Sequence, residues 1–109
     1  MDANALEKKT RELIVRDFGL EAAGIGGEGI LLQVLAERIA DLIAHQPEYL
    51  FSLLYRLDVP EEEVHRALMN VDEKSPDLLL AELVLKRQKK RIETRMNYKP
   101  PPLDDEMAW

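Results

Sequence analysis

Apolar residues recur along this chain at steps of three and four, the period of an α-helix, and almost nowhere in the alternation of a strand. Ala3, Leu6, Leu13, Ile14 and Phe18, with Thr10 in the same stripe, predict an amphipathic helix over residues 3–18. A glycine segment then interrupts the pattern. It resumes from Ile30 to His45. At about 100° per residue, Leu31, Leu32, Leu35, Ile39, Leu42 and Ile43 share one face, while Glu37, Arg38, Asp41 and His45 share the other. Ala36, Ala40 and Ala44 form a shoulder of small side chains that a neighbouring helix can approach closely.

Pro47 opens a third helix over residues 47–57, since proline fits a first helical turn and disrupts an interior. In "DVPEEEVHRALM" Asp58 is the expected N-cap, with Glu61 three residues on as its capping-box partner. Glu61, Glu62 and Glu63 occupy the first turn, where the helix dipole favours negative charge. Ser75-Pro76-Asp77 repeats the start signal. The last helix runs over residues 76–96, with a stripe of Leu78, Ala81, Leu85, Gln88, Ile92 and Met96. Three consecutive prolines bar its continuation. The predicted fold is all-α: a small compact bundle of four to five helices. One helical domain covers residues 1–96, with a glycine-rich linker at 24–29, and a disordered or loosely docked Pro-rich acidic tail covers 97–109.

Length and composition narrow the function. With 109 residues, the chain can bury one core, and cofactor clefts compete with packing for space. It has no cysteine, which excludes disulfides, thiolate catalysis and cysteine-ligated metals in this chain. No apolar run approaches the roughly 18–20 residues of a membrane span. The opening "MDANALEKKTREL" lacks the basic-then-apolar shape of a secretory signal, so the expected location is the cytoplasm. Charge is uneven. Residues 1–85 carry eight lysines and arginines against seventeen acids, residues 86–95 carry six against one, and the remainder one against three. An acidic body thus bears one basic segment.

Four constellations suggest chemistry, and each meets a physical objection. Gly24, Gly26 and Gly29 fall at the G-x-G-x-x-G spacing of a dinucleotide-binding turn. That turn needs a strand running into the first glycine, yet "LEAA" precedes Gly24, and Glu28 puts negative charge where phosphate would sit. The expected role is a linker or a helix C-cap. Glu62 and His65 have the i, i+3 spacing of metal ligands on one helical face, with His45 or Glu48 as a conceivable third. The simpler reading is a solvated first turn with His65 flanking the stripe of Val64, Leu68 and Val71. No cofactor or resident metal is therefore predicted. Helix-turn-helix docking over residues 47–70 would aim three glutamates at phosphates. Ser52 and Ser75 lie in or at the ends of helices, without the strained turn and histidine base of a nucleophile, so no enzyme is predicted.

Interaction chemistry is better supported. In the third helix, Leu50, Leu53, Leu54 and Leu57 make the core face, and Phe51 and Tyr55 lie about 100° away. Either this helix is central and sandwiched, or it presents an aromatic patch to a partner. Lys86, Arg87, Lys89, Lys90, Arg91 and Arg95 can neutralise phosphates, pair with acids, or cover apolar surface with their stems. The tail sets Leu103, Met107 and Trp109 among Asp104, Asp105 and Glu106, behind a stiff proline spacer. It can dock in a partner, or fold back on the basic helix. The leading expectation is a small cytoplasmic interaction module, an adaptor or accessory subunit. It would contact another protein through Phe51, Tyr55, the basic helix and the tail. A nucleic-acid-associated regulator working through residues 86–95 is the alternative, and a carboxylate–histidine metal protein the third. No membrane partner is expected. A homodimer through the last helix is conceivable, because helices of about 16 and 18 Å cannot cover its stripe.

Overall fold

Among the described residues, five helices form where the periodicity places them: α1 (Ala3–Phe18), α2 (Glu28–His45), α3 (Pro47–Arg56), α4 (Glu61–Met69) and α5 (Pro76–Asn97). The structure is a computed structural model and describes residues 3–21, 27–69 and 74–97. The chain is an all-α compact globule whose helices contribute to a shared apolar core.

The core is the sum of the helical stripes. Thr10, Ile14 and Phe18 of α1 recur every fourth residue and are buried, as are Leu31, Leu35, Ile39 and Leu42 of α2. Thr10 satisfies its buried hydroxyl by donating to the carbonyl of Leu6 at 2.7 Å. Leu50, Leu53 and Leu54 of α3 and Val64 and Ala67 of α4 complete the ring. At its centre is α5, packed on α1, α2 and α4, while α3 leans on α2 at the periphery. With 22 residues α5 spans about 33 Å, long enough to serve three neighbours. Leu80, Ala81, Val84, Leu85, Gln88 and Ile92 are buried along it. The premise of an uncovered stripe thus fails, because the longer α1 and α2 join α4 in covering it; Met96 is left 37% exposed. Of the alanine shoulder only Ala36 is buried.

The helix ends depart from expectation in instructive ways. Asp58 is not the N-cap of α4. It sits at φ 60°, in the left-handed region, one residue beyond the C-cap of α3. Its amide donates to the Tyr55 carbonyl at 3.1 Å, and the Val59 amide donates to Leu54 at 3.1 Å. That is a Schellman ending, with Val59 and Leu54 both in the core. The first turn of α4 instead builds on the Pro60 carbonyl, which accepts from Glu63 and Val64.

Likewise α1 ends at Gly19, φ +64°, with the Leu20 amide donating to Val15 at 3.0 Å. The C-cap glycine is Gly19, upstream of the expected segment. Gly27 caps α2 and Gly29 lies in its first turn, so the linker does not extend to 29; Gly24 and Gly26 lie outside the described residues. Gln46 alone joins α2 to α3. Its amide donates to Leu42 at 2.7 Å and its carbonyl accepts from Leu50 at 3.1 Å, while Pro47 has no N–H that needs an acceptor. At α5, the Ser75 carbonyl accepts from Leu79, as its predicted cap position requires.

Candidate functional site

The amphipathic turn of α3 decides what faces water. Leu50, Leu53 and Leu54 point into the core, and the same rotation carries Phe51 and Tyr55 outward. Because α3 is peripheral, the described residues leave Tyr55 almost uncovered and Phe51 partly so. Phe51 is 42% and Tyr55 83% exposed. They stand one turn apart on the wall of a groove of about 580 Å³ between α3 and α4. Leu54, Val59, Val64 and Leu68 supply its apolar surface, and Asp58 and Glu61 its acidic rim. His65 also lines it and is exposed. The Schellman ending of α3 shapes this groove, since the left-handed Asp58 reverses the chain and lets α4 start three residues later, at Glu61.

The basic segment does not form one face. Lys86, Lys90 and Arg95 are exposed, while Arg87, Lys89 and Arg91 are half-buried, because successive residues turn by about 100° around α5. Lys86 and Lys90 border a broad groove of about 790 Å³, but Glu63, Glu82 and Glu93 border it too. Glu82 also receives Lys74 at 3.0 Å. The Nε of Arg87 is buried with no hydrogen-bond partner among the described residues. Arg91 points the other way: its Nη1 lies 3.5 Å from the carbonyl oxygen of Leu57, which also accepts from Gln88 Nε2 at 3.4 Å. Part of the basic segment therefore serves the end of α3.

The weaker candidates stay apart. Glu62 and His65 share α4, both exposed. His45 is engaged at the end of α2, its Nδ1 3.0 Å from the Asp41 carbonyl and 3.1 Å from Asp41 Oδ1, and Glu48 is exposed on α3. Among the described residues, no group of three or more His, Asp or Glu is placed to hold a metal ion. No helix among them is long and apolar enough to cross a membrane. Leu103, Met107 and Trp109 lie outside the described residues, as does Val71.

A third concavity is not signalled by the sequence. Arg16 of α1, Arg56 of α3 and Arg91 and Arg95 of α5 line a cleft of about 300 Å³ where the C-terminal ends of the three helices meet. Arginine in the last turn of a helix is a visible signal, but only the topology brings the three ends together. No family model, curated protein or solved structure matches the chain.

Proposed function

We propose that this chain is a small cytoplasmic protein-interaction module that docks an apolar segment of a partner protein in the α3–α4 groove. The observation that carries the reading is the exposure of Phe51 and Tyr55 beside an apolar floor. Large aromatics left in water at the edge of a concavity are the residues that interface cores enrich. They lie on a helix whose own core contacts are complete without them. The groove follows two short helices, the shorter about 14 Å long, and so suits a few turns of helix or a short extended peptide. The role needs no catalytic step. Leu103, Met107 and Trp109 of the C-terminal segment supply a second contact in this reading.

The test is native co-purification from source cells, with half of the material treated with nuclease before mass analysis. The expected result is a protein partner that survives nuclease and is lost when Phe51→Ala and Tyr55→Ala are combined. Assemblies that dissolve with nuclease, and that depend on Lys86 and Lys90 rather than on the aromatics, would replace this reading with nucleic-acid association.

A further inference from the structure

The cleft at the C-terminal ends of α1, α3 and α5 gathers four guanidinium groups and one acid. Arg16 is committed to that acid, its Nε lying 3.2 Å from Asp17 Oδ1, and Arg91 leans on the Leu57 carbonyl. Arg56 and Arg95 are exposed and make no ion pair or side-chain hydrogen bond among the described residues. Dipole compensation accounts for one cation at each helix end, but these cations converge on one concavity with a formal charge of three in excess. Guanidinium groups match carboxylates in forked, two-bond geometry. Its excess of guanidinium charge therefore suits a cluster of acids.

The chain carries such a cluster. Asp104, Asp105 and Glu106 are three successive acids, and the segment bearing them leaves α5 at Asn97, two residues beyond Arg95. Arg91 and Arg95 lie within about 9 Å of that exit along the axis of α5. The six residues from 98 to 103 can span roughly 20 Å, enough to reverse and return over two turns. The outer face of α5 competes poorly as a seat, because Glu82 and Glu93 of α5 and Glu63 of α4 offset all but one of the charges of Lys86, Arg87, Lys89 and Lys90 there. We propose that the Arg16–Arg56–Arg91–Arg95 cleft is the intramolecular seat of the acidic segment 104–106. The pairing would hold Leu103, Met107 and Trp109 beside the end of α3. It stands whether or not a partner occupies the α3–α4 groove.

The absence of cysteine makes a clean test possible. A nitroxide is attached to Ala108→Cys in the full ¹⁵N-labelled chain, and amide intensities are read with the label oxidised and reduced. The expected result is loss of the Asp17 and Arg56 amide signals. Recovery should follow when Asp104→Asn, Asp105→Asn and Glu106→Gln are combined, or when inorganic pyrophosphate is added as a competing anion. The tail variant alters no residue of the folded helices, so it is decisive even if Arg56→Glu with Arg95→Glu unfolds the chain. Three results overturn the proposal. Broadening confined to the last turn of α5 means an undocked segment. Broadening that survives neutralisation of the acids means a contact of another kind. Broadening that persists when spin-labelled ¹⁴N chain is mixed with ¹⁵N chain lacking the label puts the segment in a second copy.

Discussion

Arg38, in the middle of α2, donates its Nε to the carbonyl oxygen of Phe18 at 3.1 Å. Phe18 is the last residue of α1, where helical carbonyls lose their partners. The guanidinium supplies both a donor and a positive charge at the negative end of the α1 dipole. It thereby ties α1 to α2 across the glycine segment. Arg38 also pairs with Asp41 at 3.1 Å, but both side chains are substantially exposed and that pair contributes little. Arg38→Met should therefore lower unfolding stability by about 1–2 kcal/mol. Asp41→Asn should cost less than about 0.5 kcal/mol. Urea titration of both variants separates them, and equal losses would show that the surface pair, not the α1 cap, matters.

The two left-handed residues among those described, Gly19 and Asp58, predict opposite responses. Gly19 at φ +64° has open space where a Cβ would sit, so Gly19→Ala meets only backbone strain and should cost about 1 kcal/mol. Asp58 at φ 60° already bears that strain, and Asp58→Gly should stabilise the chain by about 0.5–1 kcal/mol. Thermal unfolding reads both. An Asp58→Gly variant that melts lower would mean that the carboxylate makes a local bond outweighing the strain.

Helix positions were legible because their signals are local. Pro47, Ser75-Pro76 and the three-to-four periodicity each act within a turn or two. Asp58 departs from its expected place because two local rules compete for it: aspartate favours an N-cap and also tolerates the left-handed region. Burial of Val59 against the α3 side of the core decides for the second, and burial is a tertiary fact. The Arg38–Phe18 and Gln88–Leu57 bonds join residues 20 and 31 positions apart, beyond any periodic signal. The angle between the aromatics and the leucines of α3 was readable, but not what faces them. That depended on the long α5, not α3, taking the centre. The arginine cleft was hidden for the same reason, since Arg16 and Arg56 meet only once three helix ends converge.

Gln88 is a polar residue in an apolar stripe, 2% exposed, and the Leu57 carbonyl explains it. Two donors reach that oxygen, Gln88 at 3.4 Å and Arg91 at 3.5 Å, both long for hydrogen bonds. Either one alone can relieve the end of α3. Gln88→Leu and Arg91→Met should each cost about 0.5–1 kcal/mol, and the double variant more than their sum, since the carbonyl then lacks both donors. A double-mutant cycle that closes additively would show that the two side chains do not share this task.

Leu54 and Tyr55 are neighbours in sequence with opposite roles, and this makes the docking proposal separable from the fold. Leu54 is fully buried, so Leu54→Ala leaves a cavity and should cost about 2–5 kcal/mol. Tyr55 has almost no core contact to lose, and Tyr55→Ala should change stability by less than about 0.5 kcal/mol. Chemical denaturation of the isolated protein measures both. With stability intact, any loss of partner capture by Tyr55→Ala reports the groove itself. Were Tyr55→Ala instead as destabilising as Leu54→Ala, the ring would have to be packed in solution, and the α3–α4 groove would no longer be an open docking face.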